Sequence, residues 1–239
     1  MKLSKPFHFK QFSVNQDKCA LKVNTDAVLL GALAEANEPG NILDIGTGTG
    51  VISLMLAQRY QKAVLHSVEI ECNAFMQAKD NFSKSPWANR MESFHMPFQN
   101  FGKVTDRKYD LIVSNPPYYK DHLKTHNHER NVALHSESLS FDELSDGVKD
   151  ILSAKGEFFV ILPERQMELV EKCFNERGMY STKKVYVKDK PGAQTLRVIQ
   201  SFSFCQNFAA ENKVIFIKDP EGNYSSEYAT LLKDFLLIF

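Results

Sequence analysis

Residues 41–60 read NILDIGTGTGVISLMLAQRY, and the order of features in that stretch decides the fold. NILDIG (41–46) is a short, mostly aliphatic run, the pattern of a buried strand. Closely spaced glycines follow, and then VISLMLAQRY (51–60), where Ile52, Met55, Leu56 and Tyr60 fall on one helical stripe. A strand, a glycine turn and a helix in that order open a parallel βαβ unit.

The same alternation continues outward. AVLHSVEI (63–70), MESFHM (91–96), YDLIVS (109–114) and GEFFVILP (156–163) read as strands. CNAFMQAKDNF (72–82), SFDELSDGVKDILS (140–153) and RQMELVEKCFNERG (165–178) read as helices, the second opening with Ser140 and Glu143 in a capping-box pattern. KKVYVKD (183–189) and TLRVIQSFSF (195–204) are joined by DKPGAQ (189–194), too short for a crossover helix, so they are predicted to form an antiparallel hairpin at the sheet edge. The expected architecture is α/β: a mostly parallel, seven-stranded sheet covered on both faces. Residues 1–40 precede the alternation and are expected as an N-terminal extension to a main domain spanning 41–239.

The chain has 239 residues, 43% of them hydrophobic, enough for one sizeable core. Charges balance to zero, which excludes a strongly basic tail while leaving a local basic face open. Cys19, Cys72, Cys173 and Cys205 are widely spaced and form no C-x-x-C pair, so reduced thiols in a cytoplasmic setting are expected. MKLSKPFHFKQF at the N-terminus lacks a signal-peptide core, and no apolar run approaches the ~18 residues of a membrane span. A monomer is the favoured state.

Gly46, Gly48 and Gly50 lie in the first strand-to-helix turn with G-x-G-x-G spacing, and Asp44 precedes them. Glycine there lets a ligand approach the backbone closely. A dinucleotide site has G-x-G-x-x-G and offers pyrophosphate a helix N-terminus, so a carboxylate at Asp44 suits a ligand with a cationic end better. S-adenosylmethionine has such an end, and Glu69, at the tip of the second strand, is placed to accept from ribose hydroxyls. Loop and acid together resemble the Rossmann-like class I methyltransferases; an NAD-binding oxidoreductase is disfavoured by the spacing.

SNPPYY (114–119) leaves the fourth strand at the sheet edge where such folds bind ligands. An exocyclic amine such as N6 of adenine is a weak nucleophile because its lone pair is delocalised into the ring. Acceptors on its two N–H bonds, the Asn115 side chain and the Pro116 carbonyl, localise that pair, and Pro117 stiffens the loop. Tyr118 offers a face for the base to stack on. The stretch resembles the (D/N)PP(Y/F) signature of amino-group methylation.

FKQFSVNQDKCALKVNTDAVLLGALA (9–34), SPWANR (85–90), NPPYY and DPEGNYSSEY (219–228) together resemble the bacterial tRNA1(Val) adenine-N6 methyltransferases over almost the whole chain. The resemblance implies methyl transfer from S-adenosylmethionine to the adenosine 3′ to the anticodon of a valine tRNA. It implies that Asp44, Gly46, Gly48 and Gly50 hold the methionine part, that Glu69 holds the ribose, and that Asn115, Pro116, Pro117 and Tyr118 form the amine site. Thr25 and Asp26 are implied as part of a lid near the cofactor, a role compatible with their serving as a helix N-cap at the same time. The sequence departs from the family in one place: HMPF (95–98) follows the third strand, where an acidic residue commonly meets the cofactor adenine.

The rival readings are N5-glutamine methylation of a release factor and a non-catalytic RNA-binding module. The first expects a helical N-terminal domain larger than residues 1–40 allow, and the second leaves Asp44, the glycines and Asn115 without a use. His122, His126 and His128 read as a solvated loop rather than a metal site, and no metal is expected. Arg130 and the cluster around Lys183, Lys184, Lys188 and Lys190 are candidate RNA contacts, with Trp87 expected in the core.

Overall fold

The computed structural model describes residues 5–117, 139–206 and 210–239. The chain opens with a small hairpin, β1 (Phe7–His8) and β2 (Ser13–Val14), and helix α1 (Thr25–Leu33). It continues through β3 (Asn41–Ile45), α2 (Val51–Arg59), β4 (Val64–Glu69), α3 (Cys72–Ser83), β5 (Met91–His95), α4 (Phe98–Val104) and β6 (Tyr109–Ser114). After the undescribed segment come α5 (Phe141–Ile151), β7 (Leu152–Leu162), α6 (Glu164–Glu176), β8 (Tyr180–Lys188), β9 (Thr195–Ser203), β10 (Glu211–Phe216) and α7 (Ser226–Leu232).

The main sheet has eight strands in the order β10-β8-β9-β7-β6-β3-β4-β5. It is parallel except for β9, which runs antiparallel to both β7 and β8, so the expected hairpin is present. The expected count of seven is corrected by β10, which pairs parallel to β8 and becomes the outermost strand. Its residues 211–214 are exposed, so the stretch carries no buried alternation to read from sequence.

Alternate residues of each strand enter two separate cores. Ile42, Leu111 and Val113 face α1, α2 and α7 on one side, whereas Leu43, Ile112 and Phe158 face α4, α5 and α6 on the other. Helix α2, read as one apolar stripe, is buried along nearly its whole length because α1 covers its outer side. Ser140 and Glu143 form the expected capping box at the start of α5.

Residues 5–40 pack into the main body of the fold. Phe9, Phe12, Val14 and Ala27–Leu30 belong to the same core as β3 and β6. Phe9 bridges to Leu236, and Phe12 meets Trp87 edge-on at 5.7 Å. A Cβ at Gly31 would lie 2.8 Å from the Met55 sulfur, which shows how closely α1 and α2 approach.

Two arginines close helix ends. Arg59 donates to the carbonyls of Gly31, Ala32 and Ala34 at 3.2, 3.0 and 2.6 Å, capping the C-terminus of α1. Arg90, the last residue of SPWANR, donates to the carbonyls of Ala57, Tyr60 and Ala63 at the end of α2. Arg59→Met keeps the stem and removes the cap, leaving part-buried carbonyls unpaired, so it is expected to cost about 2 kcal/mol in urea unfolding. An unchanged midpoint would show that these bonds do not hold α1 in place.

Candidate active site

After β3 the chain moves to β4 on one side, and after β5 it returns to β6 on the other. The crevice at the carboxyl ends of β3 and β6 is therefore the switch point of the sheet, where α/β folds bind ligands. Ile45 is level with Val68 and with Ser114, so the turns after β3, β4 and β6 all open at one height. A cavity of about 340 Å³ lies there, and both Gly48 and Asn115 line it.

Gly46 and Gly48 have φ of 71° and 56°, and a Cβ at either would meet nothing within 4 Å, so their side-chain space belongs to the cavity. Gly50 does different work: a Cβ there would stand 2.5 Å from the Phe82 ring, so it serves the packing of α2 on α3.

Asp44 is buried beneath the loop. Its Oδ2 accepts from Thr47 Oγ1 at 2.6 Å and from Ser53 Oγ at 2.7 Å. Its Oδ1 is buried with no partner among the described residues. Burial is the main cause that pushes its carboxyl up to about 6, against the two hydroxyl bonds that favour the ionised form. Glu69 is held by the backbone: its Oε2 accepts from Gly48 N–H and its Oε1 from Glu71 N–H, both at 2.9 Å. Each oxygen keeps a further lone pair, and the residue lines the cavity.

On the facing wall, Ser114 Oγ donates to the Ile45 carbonyl at 3.1 Å and ties the end of β6 to the end of β3. Asn115 and Pro116 follow directly and line the cavity, with Pro116 buried and Pro117 exposed. Tyr118 and Arg130, with His122, His126 and His128, lie outside the described residues.

Other expected residues fall elsewhere. Asn24, not Thr25 or Asp26, caps α1, with its side chain accepting from Ala27 N–H. Asp26 pairs with Arg197 at 2.9 Å, and the N-terminal residues that line the cavity are Cys19, Ala20 and Leu21. Lys183 pairs with Glu35 at 2.6 Å and Lys184 with Glu171 at 2.9 Å. Both lysine side chains are about four-fifths buried, and β10 covers the strand edge expected to present them, so their charge is already spent within the fold. Met96, Pro97, Phe98 and Gln99 form the wall beyond β5, with no carboxylate among them. Thr47 and Ser53, which hold Asp44, went unread; hydroxyls three and nine positions after a buried acid were the available signal. Among the described residues no three acidic, His or Cys side chains gather to hold a metal ion, and no helix is long and apolar enough to cross a membrane.

These features fit S-adenosylmethionine. The unpartnered Asp44 oxygen calls for a cation, the Glu69 carboxylate for a diol, and the glycine cradle for bulk. A raised carboxyl in the folded state means that the native protein binds more protons than the unfolded chain between about pH 4 and 6. Stability therefore falls as pH rises through that window, and the whole penalty remains above it. Asp44→Asn is expected to stabilise the ligand-free protein by about 2–3 kcal/mol near neutral pH, with the gain vanishing toward pH 4. Thermal melts across pH that show no gain would mean Asp44 is not a strained buried anion.

The Methyltransferase small domain family matches residues 22–186. A predicted O-methyltransferase from Agrobacterium tumefaciens superposes with a TM-score of 0.68 over 88% of this chain and 96% of that one, and at 16% identity this is a likeness of fold alone. The tRNA1(Val) (adenine(37)-N6)-methyltransferase of Bacteroides fragilis is 42% identical over 237 residues, 98% of this chain and 99% of the relative. Its counterpart from Flavobacterium psychrophilum is 41% identical over 232 residues, 97% and 99% of the two chains. With that identity over almost its full length, this chain belongs to the tRNA1(Val) (adenine(37)-N6)-methyltransferase family.

Proposed function

We propose that the protein transfers a methyl group from S-adenosylmethionine to N6 of adenosine 37, 3′ to the anticodon, in a valine tRNA. The observation that carries this reading is that the glycine loop after β3 and the Asn115-Pro116-Pro117 loop after β6 line one cavity, in a chain of this family.

Bound S-adenosylmethionine supplies an electrophilic methyl group on a positively charged sulfur. Asp44 would hold its ammonium and Glu69 its ribose hydroxyls, while Gly46 and Gly48 leave room for the chain between them. The wall from Met96 to Gln99 would flank its adenine. The Asn115 carbonyl oxygen and the Pro116 backbone carbonyl accept from the target amine and localise its lone pair. The two prolines fix φ, so these acceptors do not reorganise as the amine reacts. Tyr118 supplies a stacking face for an adenine drawn out of the anticodon loop. Once methylated, the amine sheds its proton to solvent, so the residues need only hold and orient.

Valine tRNA incubated with labelled S-adenosylmethionine and digested to nucleosides is expected to yield N6-methyladenosine. Asn115→Ala is expected to cut the rate by ~10²-fold while leaving S-adenosylhomocysteine affinity close to wild type. Since Asp44 must be ionised to hold a cation, that affinity is expected to fall about tenfold per pH unit below pH 6 and to level off above it. Label appearing in a release factor rather than tRNA would move the substrate class to protein, and full activity in Asn115→Ala would remove the amine site from this loop.

A further inference from the structure

Helix α3 carries two buried amides, Gln77 and Asn81, each 1% exposed and one turn apart on the same face. They face the irregular stretch between β2 and α1, whose backbone has no sheet or helix to pair with. Asn81 Oδ1 accepts from Asn15 N–H at 2.9 Å, and Asn81 Nδ2 donates back to the Asn15 carbonyl at 2.9 Å. The same Nδ2 donates to the carbonyl of Thr49, in the glycine loop, at 2.8 Å. Gln77 Oε1 accepts from Lys18 N–H at 2.9 Å. One residue beyond Lys18, the chain becomes cavity wall at Cys19, Ala20 and Leu21; on the other side, Gly48, next to Thr49, is cavity wall as well. Asn81 thus joins, from behind, the residue next to one wall and the stretch that leads into the other.

We propose that Asn81 and Gln77 are positioning residues for the cofactor site, fastening residues 15–18 so that Cys19–Leu21 stand at a fixed separation from the glycine loop. The inference rests on the reading of this cavity as the S-adenosylmethionine site. The N–H groups of Asn15 and Lys18 lie in a part-buried stretch without a ladder and take side-chain partners instead, and an apolar helix face would remove both of those acceptors. With the amides in place, the wall is built before any ligand arrives, which lowers the ordering cost of binding.

Cys19 is a reporter set into that wall. It is half-buried, and its thiol is pushed up to about 11 by burial and by the charges of Glu69, Glu71 and Asp17, so it alkylates slowly while the wall is held. Cys173, on α6, is also half-buried, has its thiol raised by burial and lies outside the clamp, so it reports general loosening. The experiment follows iodoacetamide labelling of both thiols by mass spectrometry and S-adenosylhomocysteine binding by calorimetry. Wild type, Asn81→Ala and Gln77→Met are compared, all well below their melting temperatures.

Asn81→Ala is expected to weaken binding about tenfold and to speed Cys19 labelling by a similar factor, with Cys173 unchanged. Gln77→Met removes a single bond and carries the test should Asn81→Ala fold poorly. Cys19 and Cys173 accelerating together would reduce the clamp to ordinary stabilisation and overturn the proposal. So would wild-type affinity in a variant whose Cys19 has been freed. Wild-type protein that binds no S-adenosylhomocysteine would overturn the cofactor reading itself, before any variant is made.

Discussion

The lateral position of β3 governs both the fold and the site. Because β3 lies between β4 and β6, with Ile45 level with Val68 and Ser114, three turns far apart in sequence open at one edge of the sheet. The Ser114 hydroxyl bond to the Ile45 carbonyl locks the two strands where the cavity begins. A slip of one residue between β3 and β6 would exchange the faces of Leu111, Ile112 and Val113, and both cores oppose it. The position of Asn115 relative to the glycine loop is therefore set by hydrophobic burial on either side of the sheet.

Within that frame, the site carries its strain in one place. Asp44 is surrounded by the sheet, Thr47 and Ser53, with one oxygen satisfied twice and the other not at all among the described residues. A buried carboxylate so arranged destabilises the ligand-free protein and gives a cation something to relieve. Glu69 contrasts with it: two backbone N–H groups compensate its charge, so it can present spare lone pairs at less cost. On the proposed reading, one acid would supply a driving force for binding and the other geometry.

What could be read from the sequence was what is local. Strand and helix alternation, the Ser140–Glu143 box and the turn between β8 and β9 each follow from residues within a few positions of one another. The two loops that define the site were legible for the same reason, since glycine and proline declare their backbone requirements themselves. The misreadings involve partners distant in sequence. The ion pairs of Lys183 and Lys184 could not be read because Glu35, Glu211 and Glu171 lie elsewhere in the chain. The anchoring of residues 5–40 could not be read because Asn81, Met55 and Leu236 come much later. β10 was missed because its outer edge faces solvent and its pattern is polar.

The anchoring of the N-terminal stretch has a consequence for how the molecule is made. Lys10 donates its backbone N–H to the Phe235 carbonyl and its ammonium to the Phe239 carbonyl, and Phe9 pairs with Leu236. Residues 9 and 10 therefore settle only against residues 235–239, and such non-local closure comes late in folding. Cys19–Leu21 lie in the same N-terminal stretch, so one wall of the cavity takes its final form with that closure.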